Sequence, residues 1–234
     1  MKYFLIIGII LLNFSGLKAQ FDIKGQVIDI NTNKGIEDVI IMVSGSTMGS
    51  KTDSNGYFIL NDLMKESILI VSHVCYENSR FTVSKKNKEN IFIQLNKANY
   101  VIGEINLNPK MIKKVLKNLK CDSIRKIQET PDSIFTIVES LFKYPGGLNC
   151  LDHLFLTNLY PHIKSKTIKP FGELDLNFSI SENGIPINIT ANKEIPSEFI
   201  DILNSIFFKM PKWIPATQNG KKMAVNLTYK LRYE

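Results

Sequence analysis

The sequence is poor in the residues that assemble reaction centres. It has three cysteines, three histidines and one tryptophan among 234 residues. Cys75, Cys121 and Cys150 fit no zinc spacing, and His73, His153 and His162 are not placed to complete one. It contains no glycine-rich phosphate loop, HExxH pair or GxSxG elbow, so it shows no motif of the nucleotide, metallohydrolase or serine-hydrolase classes. Asp152 and His153 adjoin in a stretch of helical period, where sequence neighbours point apart and cannot act as base and orienting acid. Glu173 and Asp175 share the solvent face of a strand, as ordinary solvated charges do. The expectation is therefore a non-enzyme with no catalytic residues, no metal and no cofactor. A hydrolase of wall or peptide substrates is the reading with least support.

Long apolar runs are also scarce. The one that exists, Phe4 to Leu17, follows the positive start Met1-Lys2 and precedes Leu17-Lys18-Ala19-Gln20, which offers a small residue for cleavage before Gln20. As a helix that run spans about 21 Å, short of the roughly 30 Å hydrocarbon core. Residues 1–19 read as a signal peptide that sends the chain to the periplasm. The alternative is retention of this segment as an inner-membrane anchor facing the periplasm. Export permits disulfides, and the odd cysteine count leaves at least one thiol unpaired. Three isolated thiols and a Cys121–Cys150 bridge both fit.

The formal charge of +7 is concentrated. Residues 108–126 hold Lys110, Lys113, Lys114, Lys117, Lys120, Arg125 and Lys126 against Asp122 alone. The remainder is close to neutral, so a broad nucleic-acid surface is not expected.

Between Phe21 and Asn108 short strands alternate with turn residues at β-sandwich intervals. Val39 to Val43 is apolar throughout, suited to a strand covered on both faces. Asp53-Ser54-Asn55-Gly56 supplies a turn, and Tyr57-Phe58-Ile59-Leu60 resumes a strand. These elements, with Ile23-Lys24-Gly25-Gln26-Val27, the Gly35-Ile36 turn and Val71-Ser72-His73-Val74-Cys75-Tyr76, make residues 20–107 resemble the carboxypeptidase-regulatory-like domain. That resemblance implies a transthyretin-like all-β sandwich of the kind found in cell-envelope proteins. It implies no peptidase activity.

Residues 108–142 read as a basic helical linker. Asn108 caps, Pro109 opens, and Ile112, Val115, Leu116 and Leu119 form one stripe before Thr130-Pro131-Asp132 breaks the pattern. The segment 108–126 either attracts an anionic membrane surface or rests its stripe on a neighbouring domain.

From 143 to 234 the pattern is helix, strand, strand, helix, strand. Leu148, Leu151, Leu154, Phe155 and Leu159 share a helix face that Tyr160-Pro161 should end. Leu174, Leu176, Phe178 and Ile180 point inward from a strand; Asn183-Gly184 predicts a type I′ hairpin, and Ile185, Ile187 and Ile189 continue the apolar face. Pro186 marks the return strand as an edge, or as starting at that residue. Ser197 caps a helix that buries Phe199, Ile200, Leu203, Ile206 and Phe207. After Asn219-Gly220 an alternating strand runs to the end, with Met223, Val225, Leu227, Tyr229, Leu231 and Tyr233 on one face, and as a terminal strand it is expected at a sheet edge, open to an extended peptide.

The segments Tyr144-Pro145-Gly146-Gly147, Asn158-Leu159-Tyr160-Pro161, Phe171-Gly172, Ser181-Glu182-Asn183-Gly184 and Met210-Pro211-Lys212-Trp213-Ile214-Pro215 resemble the C-terminal domain of the TonB energy-transducer family. The resemblance implies a two-layer α+β domain that takes an extended peptide of an outer-membrane TonB-dependent receptor by strand addition. Carried over by position, the partner-binding residues are Asn158, Tyr160, Pro161, Ala224, Val225, Asn226, Leu227, Thr228 and Tyr229. Trp213 is expected to plug the core. The leading expectation is a periplasmic adaptor that binds such a receptor or another envelope partner. Its alternative is a membrane-anchored energy transducer for outer-membrane transport.

Overall fold

The structure is a computed structural model and describes residues 21–64, 66–84, 91–118, 121 and 139–234. The expected signal peptide and the Thr130-Pro131-Asp132 linker lie outside these residues. Among the described residues no helix is long and apolar enough to cross a membrane. The chain divides into two compact units. The first runs to His73 and includes Asn78–Asn96; the second takes Val74–Glu77 and Lys97–Glu234.

The first unit is strand-rich and β-sandwich-like. Strands β1 (Phe21–Asp29), β4 (Tyr57–Leu63) and β7 (Ile91–Leu95) form one sheet in the order β4-β1-β7. Strands β2 (Ile40–Val43), β3 (Gly49–Lys51), β5 (Ile68–His73) and β6 (Tyr76–Thr82) form another in the order β3-β2-β5-β6. Alternation buries Ile23 and Val27 from β1 and Phe58 and Leu60 from β4, while β2 buries Ile40, Ile41 and Val43, as a strand covered on both faces does. The turn before β4 is held by Asp53, whose Oδ1 accepts the N–H groups of Asn55 and Tyr57, each at 2.9 Å. Gly35 packs directly against that turn: a Cβ there would lie 1.9 Å from the Asn55 carbonyl oxygen, a distance no side chain tolerates. Thr52 ties the same corner, accepting the Val39 N–H at 2.8 Å and donating to the Ile36 carbonyl at 2.7 Å.

His73 is buried at the end of β5, and burial lowers its pKa to about 4 despite the opposing pull of Asp38. Because the folded value lies below the ordinary 6.5, the fold holds the neutral ring. This contribution to stability is complete above pH 6.5 and is lost as pH falls toward 4. Urea melts at pH 7.5 and 4.5 should differ by about 2–3 kcal/mol more in the native chain than in His73→Gln.

The second unit contains β8 (Asn99–Asn106), α1 (Pro109–Asn118), β9 (Glu139–Ser140), α2 (Leu148–Lys164), β10 (Gly172–Ile180) and β11 (Pro186–Ala191). It continues through α3 (Ser197–Phe208), β12 (Ala216–Gln218), β13 (Lys221–Met223) and β14 (Val225–Tyr233). A four-stranded sheet runs β11-β10-β14-β8, and a small sheet runs β13-β12-β9. Inward side chains of β8, β10 and β14 share one core with Leu151, Phe155 and Leu159 of α2 and Phe199, Leu203 and Phe207 of α3. Trp213 fills one end of it, with Tyr144 edge-on at 4.9 Å and Phe178 at 6.2 Å.

Several local expectations are corrected. The last strand does not lie at an edge. Strand β14 pairs antiparallel with β10 from Gly172↔Tyr233 to Ile180↔Val225, and parallel with β8 from Asn226↔Asn99 to Arg232↔Asn106. Ile102 and Ile105 of β8 enter the second unit's core, so a strand read from sequence as part of the sandwich completes this sheet instead. Nor is the strand continuous: it breaks at Ala224, and Met223 belongs to β13.

Helix α2 passes through Pro161 to Lys164, because burial of Ile163 holds the last turn on the core and Pro161 still accepts the Ser165 N–H. At the β10–β11 turn only Gly184 has positive φ, and its N–H donates to the Ser181 carbonyl. That is a type I turn closed by a left-handed glycine rather than type I′. Gly184 is also pressed on Trp213: the Trp213 N–H donates to its carbonyl at 2.9 Å, and a Cβ would meet the Trp213 oxygen at 2.1 Å. Helix α3 starts without a side-chain cap, Pro196 standing where Ser197 was expected to cap. Cys121 and Cys150 form a disulfide, with Cα atoms 4.9 Å apart, while Cys75 stays a thiol.

Candidate functional site

The sheet of the second unit has two outer strands, β8 and β11. Pro186 is the first residue of β11 and pairs with Ile180, so its missing N–H falls at the start of the ladder. Asn188, at φ +55°, makes a bulge where the register shifts between Asn177 and Ser179. The bulge also changes which isoleucines face the core side. Ile185 and Ile187, expected inward, are 45% and 40% exposed, whereas Ile189 packs on the core.

Beside β11 lies a groove of about 430 Å³. Leu176, Ile189, Ala191, Ile195, Ile200 and Leu203 give it apolar walls, with Lys193 and Glu194 at its margin. One wall is the strand and the other is α3. Ile200, expected in the core, is 43% exposed and lines this groove. Lys193 is held in place, its ammonium donating to the Phe171 carbonyl at 2.6 Å and lying 5.7 Å from the Phe171 ring centroid. A strand edge without a partner among the described residues, beside apolar walls, suits an extended chain: backbone groups bond to the edge while alternate side chains enter the groove. The sequence signal for it was the isoleucine surplus of 185–200, whose sidedness the bulge conceals.

The residues picked out by sequence are otherwise engaged. Val225, Leu227 and Tyr229 are buried in the core. Asn226 accepts from Ser179 Oγ at 2.9 Å. Thr228 donates to Asn177 at 2.6 Å and accepts from Asn99 at 2.9 Å, a polar ladder across β10, β14 and β8. The Ala224 carbonyl accepts from the Cys75 thiol at 3.3 Å. Asn158 joins the two helices, donating to the Leu154 carbonyl at 2.8 Å and accepting from Lys209 at 2.8 Å. Tyr160 packs against the core, and Pro161 is exposed on the last turn of α2. With both flanks of β14 paired, its backbone cannot receive a further strand.

Asp152 comes closest to an acid–base constellation. Its Oδ1 accepts the Tyr229 hydroxyl at 2.5 Å. Burial raises the Asp152 pKa, which that bond partly offsets, and burial followed by the Asp152 charge pushes Tyr229 far up. Tyr229 therefore stays a donor. Gly103 of β8 crosses its ring, where a Cβ would sit at 3.0 Å. With Tyr229 buried and Asp152 half-buried, the pair clasps α2 to β14.

Residues 23–106 match the family model of the CarboxypepD_reg-like domain. The match runs through the first unit and ends with β8, leaving the helices and the groove unmatched. No curated protein matches the chain. Among solved structures, two mutants of a type II cohesin–X-dockerin complex from Acetivibrio cellulolyticus are similar at 19% and 20% identity. They cover 42% and 47% of this chain and 72% and 80% of those chains, with a TM-score of 0.29 for each. The major pilin subunit of Bacillus cereus, BcpA, is similar at 10% identity over 34% of this chain and 31% of that one, with a TM-score of 0.27. Scores at this level define neither fold nor function here.

Proposed function

We propose that this chain is a non-enzymatic binding protein of the periplasm that captures an extended peptide by strand addition along β11. The observation that carries the proposal is the apolar groove between β11 and α3 beside an outer strand. The occupant is an extended segment with apolar side chains at alternate positions, two of which enter the groove on either side of a backbone-paired residue. The resemblance of residues 143–234 to the TonB energy-transducer C-terminal domain supports an outer-membrane receptor as its source. The leader-like residues 1–19 and the Cys121–Cys150 disulfide support an oxidising compartment.

A photoreactive amino acid placed at Thr190 on β11 should crosslink extended peptides from a display library enriched on the full chain, and the same group at Val101 on β8 should not. Ile200→Glu puts a charge into the groove from a side chain already 43% exposed, so the fold survives. Binding should weaken at least ~10-fold, the equivalent of about 1.4 kcal/mol. Undiminished binding by folded Ile200→Glu, or crosslinking at Val101 instead, overturns the assignment.

A further inference from the structure

We infer that α1 carries an electrostatic docking surface for anionic phospholipid, independent of the β11 groove. Asn108 caps the helix, its Oδ1 accepting the Lys110 N–H at 3.0 Å. Ile112 is fully buried, and Val115 and Leu116 pack against the second unit's core. The apolar stripe is thus used within the unit and is not available to enter a bilayer. Opposite it stand Lys110, Lys113, Lys114 and Lys117, spaced i, i+3, i+4 and i+7, so that all four ammonium groups leave one face. All four are exposed, and none is in an ion pair among the described residues.

This arrangement weakens the helix that bears it. The first turn, where the helix dipole favours carboxylates, has none and holds Lys110 instead. The lysine pairs 110–113, 110–114, 113–117 and 114–117 repel across one turn. No carboxylate on α1 relieves them. An anionic surface would.

The stripe is also firmly presented. Before the helix, Leu107 is buried and its N–H donates to the Arg232 carbonyl at 2.7 Å; after it, Cys121 is tied to α2. Lipid fits better than nucleic acid. The stripe has no arginine to grip a phosphate bidentately and no aromatic ring on which a base could stack. Met111 instead stands 50% exposed beside Lys114, a flexible apolar side chain suited to the edge of a headgroup layer.

The test is co-sedimentation of the full chain with phosphatidylcholine vesicles, with and without phosphatidylglycerol, at rising salt. Binding should require phosphatidylglycerol and disappear as salt screens it. It should fall roughly a hundredfold or more in the quadruple variant Lys110→Gln, Lys113→Gln, Lys114→Gln, Lys117→Gln. Without vesicles that variant should melt no lower than the native chain, since the change removes repulsion. The inference is overturned by no binding, by equal binding to neutral vesicles, or by full binding of the variant. Preference for a single-stranded RNA oligomer over the anionic vesicles overturns it in favour of nucleic acid.

Discussion

Leu227→Pro is expected to unfold the second unit rather than to produce a folded protein without its docking edge. Leu227 is fully buried and lies in a strand paired on both sides, opposite Phe178 of β10 and Tyr100 of β8. Truncating a buried leucine alone costs about 2–5 kcal/mol. Proline adds the loss of a backbone donor and a ring that a central strand does not accommodate. The sum approaches the whole stability of an ordinary domain, about 5–15 kcal/mol. Soluble yield and the cooperative melt should both be lost. A cooperative melt close to that of the native chain would show that β14 is not the central strand of this sheet.

Breaking the Cys121–Cys150 disulfide is the second large effect. Its partners are 29 residues apart in sequence, and closing a loop of that length removes chain entropy from the unfolded state worth about 3–4 kcal/mol. Urea denaturation with and without reductant should show a loss of that size, and Cys121→Ser/Cys150→Ser should melt like the reduced chain and ignore reductant. Cys75 makes a useful control. It is outside the disulfide and burial raises its pKa to about 11, so its thiol stays protonated and slow to exchange at neutral pH. A denaturation midpoint unmoved by reductant would mean that the bridge does not constrain the fold.

What the sequence disclosed was local. The Asp53-Gly56 turn, the capping of α1 by Asn108 and the turn at Asn219-Gly220, where both residues have positive φ, each depend on a few adjacent residues. The inward set Leu174, Leu176, Phe178 and Ile180 was equally legible, because one period-2 pattern decides it. The destination of Asn99–Asn106 was not. Its alternation is the same whichever sheet it joins, and only long-range pairing selects β14. The groove was hidden for a related reason: a single extra residue at Asn188 reassigns Ile187 and Ile189 to opposite surroundings. Cysteine pairing likewise depends on where α2 begins in space, which no spacing along the chain reveals.

Strand β8 also determines where this polypeptide can be divided. The stretch that matches the CarboxypepD_reg-like domain ends at residue 106, yet its final strand closes the sheet on the far side of that limit. A cut at the matched boundary would strip β14 of its parallel neighbour and leave a raw nine-residue flank ready to seize another molecule. A C-terminal piece that keeps this sheet whole therefore starts no later than Lys97, inside the matched stretch, and even then leaves behind Val74–Glu77, which belong to the same unit.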